Sequence, residues 1–258
     1  MKLNAHTALH TPTATLLPYS PHHVPKYHTW MQSPTLRALT ASEPLSLAQE
    51  HAMQQSWRHD GDKLTFVVCT PRGAGETHTG SSEDQEDEIN RMVGDVNVFF
   101  YQDDDDDDGN DDEGNETASP NPDAQLTRPL IAELEIMIAD PAHRGKGLAT
   151  AALQAMLWYL YRHIDALIAE YIAFTQSEAS TGAKLSPPAS QNLPSLTHLR
   201  AKIAADNSSS VRLFSRLGFT LVNSGAPNYF NEVEMRMGRE ELRSSVQGLG
   251  VREVRYEC

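Results

Sequence analysis

The chain has 258 residues, which is enough to bury a full hydrophobic core, and its formal net charge is −14. Two stretches, 71–91 and 102–128, hold about half of its 35 acidic residues, so the remainder is close to neutral and the overall acidity says little about a functional site. With two cysteines, no signal-like leader and no apolar stretch long enough to cross a bilayer, we expect a soluble cytoplasmic protein without a membrane or nucleic-acid partner.

The acidic stretches are predicted to be solvated spacers. Runs of like charge that are poor in aromatic residues usually remain disordered, so we predict acidic insertions at 71–91 and 102–128, and a Ser/Pro-rich insertion at 175–195. Calcium or a basic partner is the alternative for the Asp103–Asp108 run, but the run lacks EF-hand spacing. His22 and His23 are adjacent and show no paired ligand spacing, so no metal site is expected.

Strands and helices alternate in the first half of the chain. A short apolar run ending at Pro18 predicts a strand, and a helix is predicted from Pro21. Ser46 and Gln49 form a capping box that predicts the start of another helix. The strands predicted in this half are 14–17, 63–70 and 92–101.

The second half continues with a strand at 130–139 and an apolar helix that begins near Leu148. Its apolar pattern is too long for one ordinary helix, which predicts a bend or a second helix near Asp165. A strand at 196–204 precedes a short helix that Gly218 ends. Two strands are predicted at 219–222 and 230–237, and residues 239–258 are predicted to form a charged, peripheral tail.

The turn Arg144-Gly145-Lys146-Gly147 connects the strand at 130–139 to the central helix. A helix that begins on such a turn directs unpaired N–H groups and its positive dipole end to one point, which suits a phosphate or diphosphate. A P-loop is excluded because it needs Ser or Thr after the lysine, and Gly147 follows Lys146. A dinucleotide-binding motif is disfavoured because it needs a third glycine at the position of Thr150. A surface turn without a ligand is the other alternative.

The stretch Ala142–Gly147 resembles the acyl-CoA loop of the GCN5-related N-acetyltransferases (GNAT), with both glycines, the basic residue before the first and the upstream proline. It departs at Ala142, where that family usually has Gln or Arg. A second resemblance lies about sixty residues later, where Asn207 and a short helix precede Leu217-Gly218-Phe219. Segments 39–45, 92–97 and 132–139 are similar to the N-acetyltransferase 9-like branch.

This resemblance implies one domain over 1–238 with an α/β (α+β) fold. Its mixed, mostly antiparallel sheet would have about seven strands and flanking helices, and would splay between its fourth and fifth strands, which are 130–139 and 196–204. Acetyl-CoA would be the co-substrate. The implied cofactor-binding residues are Ile136, Met137, Ile138, His143, Arg144, Gly145, Lys146, Gly147, Leu148 and Asn207.

Two glutamates on the fourth strand are the candidate catalytic residues. The resemblance points to Glu133 as general base, and Glu135 shares its face by strand alternation. Two carboxylates on one face would raise each other's pKa and favour a base that works near neutral pH. The alternative is that both line an edge or form ion pairs with Arg200 or Lys202.

The acceptor groove and the proton donor are less well defined by sequence. Glu43, Asp95 and Asn97 are candidate substrate-binding residues, the last two because they share a face of the third strand. Many family members have a Tyr as proton donor where this chain has Phe214, which cannot donate. Water, Ser215 or Tyr229 would then protonate the thiolate.

The resemblance implies an N-acetyltransferase that transfers the acetyl group of acetyl-CoA to an amine of a protein or peptide. Its branch is linked with microtubules, which suggests tubulin or microtubules as acceptor or partner. The alternative is a binding protein that keeps the fold and uses its acidic segments to hold a basic partner. Phe214 and Ala142 favour the binding protein, whereas Glu133 and the intact glycine turn favour the enzyme.

Overall fold

A computed structural model describes residues 1–72, 81–102, 128–179 and 194–257 of the chain. One mixed sheet runs through all four ranges. Its strands in chain order are β1 (Thr7–His10), β2 (Thr15–Pro18), β3 (Lys63–Cys69), β4 (Met92–Gln102), β5 (Leu130–Ile138), β6 (Leu196–Ala204), β7 (Thr220–Leu221), β8 (Glu232–Met237) and β9 (Arg252–Arg255).

Seven α-helices lie within the described ranges, and each side of the sheet is covered by some of them. They are α1 (Val24–Met31), α2 (Pro34–Leu39), α3 (Leu47–His59), α4 (Ser82–Arg91), α5 (Leu148–Ala179), α6 (Ser208–Leu217) and α7 (Arg239–Ser245). As predicted, Ser46 and Gln49 form the capping box of α3, and Gly218 ends α6 in the left-handed conformation at φ 101°. None of the helices in these ranges has the length and apolar character needed to cross a membrane.

The spatial strand order is β7-β8-β6-β5-β4-β3-β2-β1-β9. Only β5 and β6 run parallel to each other, and the other neighbouring pairs are antiparallel. The predicted mixed, mostly antiparallel sheet is therefore confirmed. The sequence did not indicate two of its strands, β1 and β9. Strand β9 comes from the charged C-terminal segment and pairs with β1 at one edge of the sheet.

Two apolar clusters hold the helices on the two faces. On one face, α5 packs with Met156 and Leu160 against residues such as Ala132 and Leu134 of β5. On the other face, Val24 and other residues of α1 and α2 pack against β2, β3 and Met137. Because side chains alternate along a strand, Glu133 and Glu135 share the α1 side with Met137.

Several predicted segments differ from the structure. Ser82–Arg91, expected to be part of an acidic insertion, form α4, whose capping box joins Ser81 and Asp84. Helix α5 continues through Asp165 without a second helix and extends to Ala179, because Leu167 and Ile168 remain in the apolar cluster. Parts of the expected insertions at 71–91, 102–128 and 175–195 lie outside the described residues, namely 73–80, 103–127 and 180–193.

The segment 239–258, predicted to be a peripheral tail, is integrated into the fold as far as residue 257. It contributes α7 and β9, and Leu242, Val246 and Tyr256 are buried. The Tyr256 hydroxyl donates a hydrogen bond to the buried carboxylate of Glu88 at 2.9 Å. Helix α4 and the C-terminal strand therefore stabilise each other through side chains that are far apart in the sequence.

Candidate active site

The turn between β5 and α5 has the geometry of an anion site. A short 3-10 helix, Pro141–His143, follows Asp140, whose Oδ1 accepts a hydrogen bond from the Ala142 N–H at 2.9 Å. Gly145 and Gly147 then take left-handed conformations, with φ of 71° and 82°, which side chains other than glycine rarely adopt. The turn thus requires glycine at both positions.

The first turn of α5 presents its N–H groups to this glycine turn. Intrahelical bonding begins with the Ala151 N–H, which donates to the Gly147 carbonyl at 3.0 Å, so the preceding N–H groups from Leu148 onward have no helical acceptor. A Cβ placed on Gly145 or Gly147 would meet no atom within 4 Å. A diphosphate fits here, because donors, the helix dipole and open space coincide.

The basic side chains of the turn have different roles. Arg144 folds back onto β5, where its Nε donates to the Ile138 carbonyl at 2.9 Å and its Nη2 to the Ala139 carbonyl at 3.2 Å. Lys146 is exposed. His143 Nδ1 hydrogen-bonds the carboxylate of Asp140 at 2.7 Å, so its ring supports the turn.

Strands β5 and β6 part beside this turn. Their pairing runs from Leu130 opposite Leu196 to Glu133 opposite Arg200 and then stops. Beyond it, β5 continues to pair with β4, and β6 with β8. The splay expected between these two strands is therefore present, and it opens toward the glycine turn.

Two residues of β5 direct their backbone into the gap. Successive residues of an antiparallel strand direct their N–H and C=O groups alternately to its two sides. The Ala139 N–H bonds a β4 carbonyl, whereas the Leu130 N–H bonds the carbonyl that precedes β6. Ile136 and Ile138 therefore face the gap, whereas Met137 faces β4. An extended chain in the gap could pair with Ile136 and with the Ile138 N–H, because the Ile138 carbonyl already accepts from Arg144 Nε.

Glu133 is held in an ion pair. Arg200 lies opposite it on β6, and the Arg200 Nη2 and Nε are 2.7 Å and 2.8 Å from Glu133 Oε2. The guanidinium also lies over the ring of Tyr101, 5.5 Å from its centroid. This is the ion-pair alternative from the sequence analysis, and it makes the carboxylate of Glu133 less available to a substrate.

Glu135 has the properties of a base that works near neutral pH. Its side chain is exposed, but the surrounding protein atoms remove part of its hydration, and this raises the pKa of its carboxyl to about 7. The negative charges of Glu133, Asp95 and Glu232 add to the shift. An exposed carboxylate with this pKa can accept a proton from an amine at physiological pH.

Asp95 and Asn97 lie on the same face of β4 as Glu135 does on β5, with Asn97 directly opposite Glu135. Asn97 Nδ2 donates to Asp95 Oδ2 at 2.7 Å. Burial raises the pKa of Asp95 to about 6, although hydrogen bonds from Asn97 and Tyr27 act in the opposite direction. Their buried Oδ1 atoms find no partner among the described residues, which suits ordered water.

The other predicted residues are dispersed. Glu43 is exposed between α2 and α3 and is not among the charged groups that act on Glu135 or Asp95. Asn207 Oδ1 caps α6 by accepting from the Ser210 N–H at 3.2 Å. Phe214 is buried in edge contact with Phe219, so it has only a packing role.

Sequence reasoning missed the roles of Tyr27 and Tyr101. Tyr27 lies at the helical spacing of α1, and that spacing gives no sign that its hydroxyl interacts with Asp95. Tyr101 ends the alternating pattern of β4, and no signal in the sequence joins it to Arg200. Long-range contacts of this kind depend on strand register, which short patterns do not define.

One group of possible metal ligands occurs among the described residues, formed by His22, His23 and Glu88. His23 Nδ1 accepts the Ser20 N–H, so in the neutral ring Nε2 carries the proton and points it at Glu88. Burial alone would raise the pKa of Glu88, but hydrogen bonds from His22, His23 and Tyr256 hold it at about 2. The group fits a hydrogen-bonded carboxylate better than a metal site.

Comparisons with known proteins agree with this geometry. Residues 14–220 match the model of the acetyltransferase (GNAT) domain family. The chain is 38% identical over 235 residues to the alpha/beta-tubulin-N-acetyltransferase 9 of Drosophila melanogaster, a match that covers 91% of this chain and 88% of that protein. For the Homo sapiens protein of the same name, identity is 35% over 238 residues, with 92% and 86% covered.

Solved structures share the fold. Spermidine N-acetyltransferase from Vibrio cholerae, in complex with CoA and spermine, aligns with a TM-score of 0.52 at 14% identity and covers 93% of this chain and 99% of that chain. The identity is too low to compare individual side chains. The chain belongs to the GNAT acetyltransferase family, within its N-acetyltransferase 9-like branch, and is an acetyl-CoA-dependent N-acetyltransferase.

Proposed function

We propose that this protein transfers the acetyl group of acetyl-CoA to an amine of a protein or peptide, with Glu135 as the general base. The observation that carries the proposal is a carboxyl group with a pKa of about 7 on the strand that splays beside the glycine turn. Of the two glutamates considered, Glu133 is paired with Arg200, which leaves Glu135 as the available base.

The chain supplies what the reaction needs. The N–H groups of residues 145–148 would bind the diphosphate, and the backbone of Ile136 and Ile138 would orient the extended arm of the co-substrate. Asn207 would bound the site from the end of β6. The bound thioester supplies an acyl group that is already activated, so Glu135 has only to accept the proton of the amine.

The acceptor side is negatively charged. The negative charges of Asp95 and Glu232 act on Glu135, and Glu43 is an exposed carboxylate on the segment between α2 and α3. Such a surface attracts an ammonium group, which must then lose its proton before it attacks. We therefore assign Asp95 and Asn97 to acceptor binding, and we assign Glu43 to it because the resemblance to the family implies that its segment covers the acceptor site.

Tubulin is the acceptor that we propose, on the basis of the names of the Drosophila and human relatives. The test is to incubate purified tubulin and acetyl-CoA with the wild type and with Glu135→Gln, and to identify acetylated peptides by mass spectrometry. Glu240→Gln, which removes an exposed carboxylate on α7, is the matched control. The proposal is supported if the wild type and Glu240→Gln acetylate tubulin and Glu135→Gln gives no acetylation above background. Equal acetylation by all three proteins contradicts the base assignment.

A second candidate function is a binding protein with little catalysis. The observation that favours it is the buried ring of Phe214, where many members of the family have a proton-donating tyrosine. CoA binding without acetylation of tubulin or of a peptide library would support this candidate. A cytoplasmic location remains a prediction from the sequence, which cell fractionation would test.

A further inference from the structure

The last paired position before β5 and β6 separate is Glu133 opposite Arg200. These are also the residues whose side chains form the ion pair across the two strands. The pair therefore stands where the gap begins, and beyond it β5 pairs with β4 and β6 pairs with β8.

The ion pair is shielded from water. Only 14% of the Arg200 side chain and 11% of the Glu133 side chain are exposed, and Tyr101 covers the guanidinium from the β4 side. The Nε and Nη2 atoms of Arg200 both lie within hydrogen-bonding distance of Glu133 Oε2. A charge-assisted pair in such surroundings is strong once formed, and removing one partner leaves a poorly hydrated charge.

A neighbouring arginine on this face has an ion pair of a different kind. Arg236, which is opposite Arg200 on β8, pairs with Glu234 of its own strand. That ion pair lies within one half of the sheet. The Glu133–Arg200 pair, by contrast, connects β5 to β6 at the fork.

We propose that Glu133 and Arg200, with Tyr101, form a clamp that fixes where β5 and β6 separate and so sets the width of the gap that receives the extended arm of CoA. The inference rests on the proposed function, because it concerns the same gap. Glu133 and Arg200 are positioning residues, since they act through the backbone of Ile136 and Ile138. Without the clamp the last paired position frays, and these N–H and C=O groups no longer face a gap of constant width.

The test separates the two parts of the ligand. CoA contains the diphosphate and the pantetheine arm, whereas 3′-phospho-ADP contains the diphosphate without the arm. Calorimetry measures the affinity of both for the wild type, Arg200→Gln, Arg200→Lys and Arg236→Gln. If Arg200→Gln weakens two backbone hydrogen bonds to the arm, CoA affinity falls about ten-fold while 3′-phospho-ADP affinity stays the same.

The other variants sharpen the result. Arg200→Lys keeps the charge but offers a single ammonium in place of the planar fork, so its CoA affinity lies between those of the wild type and Arg200→Gln. Arg236→Gln binds both ligands as the wild type does. The double variant Glu133→Leu/Arg200→Met removes both charges, which restores stability in a thermal melt, but it still binds CoA about ten-fold more weakly.

Three results with the variants would overturn the clamp. CoA affinity would be unchanged in Arg200→Gln, or the two ligands would weaken together, or the double variant would regain wild-type CoA affinity. Recovery of CoA affinity in the double variant would mean that the unpaired charge, rather than the missing clamp, weakened CoA binding in Arg200→Gln. Wild-type protein that binds 3′-phospho-ADP and CoA equally would also refute it, whereas wild-type protein that binds neither would refute the proposed function.

Discussion

Replacing Glu135 with Gln tests the proposed base most sharply. The amide has the shape of the carboxylate but cannot accept a proton at neutral pH. A general base typically contributes a factor of about 10²–10⁴ to the rate, so we expect kcat to fall by that factor. CoA affinity should not change, because the glycine turn and the backbone of Ile136 do not depend on this side chain.

The pH dependence follows from the raised pKa of Glu135. With a pKa of about 7, the carboxylate becomes protonated as the pH falls. The value of kcat/KM should therefore fall about ten-fold per pH unit below neutrality. Asp95 contributes to this shift through its negative charge. Replacing Asp95 with Asn should therefore lower the pKa of Glu135 and move the acidic limb of the profile to lower pH.

The assay is release of the CoA thiol, measured from pH 5 to 9 with one peptide acceptor. The amine of the acceptor titrates as well, but its contribution is the same for every variant, so differences between profiles report on the enzyme. Glu240→Gln should reproduce the wild-type profile. The reasoning is refuted if Glu135→Gln keeps the wild-type plateau rate, or if Asp95→Asn leaves the acidic limb in place.

Two further predictions concern stability. Tyr256→Phe removes a hydrogen bond to the buried carboxylate of Glu88, so the free energy of unfolding in urea should fall by about 1–3 kcal/mol, whereas Tyr229→Phe, at a side chain that is 96% exposed, should change nothing. Gly94→Ala places a Cβ 1.8 Å from the Met137 carbonyl oxygen of β5, and the melting temperature should drop clearly. Wild-type stability of either Tyr256→Phe or Gly94→Ala would contradict the packing described for that residue.

The parts of the fold that local patterns specify were predictable. The strand, glycine turn and helix around residues 130–160 carry their information in consecutive residues, and so does the cap, helix and glycine sequence of α6. Strand β9 was not predictable, because Arg252–Arg255 is short and mostly exposed, and it is held by its pairing with β1. Tertiary contacts can outweigh composition in such segments.

Helix α4 begins with a capping box, but the acidic composition of the segment favoured a loop in the sequence analysis. Its capping box at Ser81 and Asp84 is the same kind of signal that identified α3, but the dense acidic residues around it favoured a solvated loop. In the structure, Glu88 of this helix is buried against His22 and His23. Those partners lie about sixty residues earlier in the chain, so the sequence pattern alone could not reveal them.

The candidate site was predictable to a similar extent. Sequence resemblance placed Glu133 and Glu135 on one strand, and the structure shows them side by side on one face. Which of the two has a cation partner depends on the register between β5 and β6, because a shift of one residue would place Arg200 on the opposite face. The difference between Glu133 and Glu135 is therefore a property of tertiary structure.

The central claim is that the start of α5 and the gap between β5 and β6 bind coenzyme A together. A crystal structure of the wild type soaked with CoA tests it most directly. We predict that the diphosphate contacts the N–H groups of residues 145–148 and that the pantetheine arm pairs with Ile136 in the gap. A ligand bound elsewhere, with the glycine turn and the gap occupied by solvent, would contradict the account.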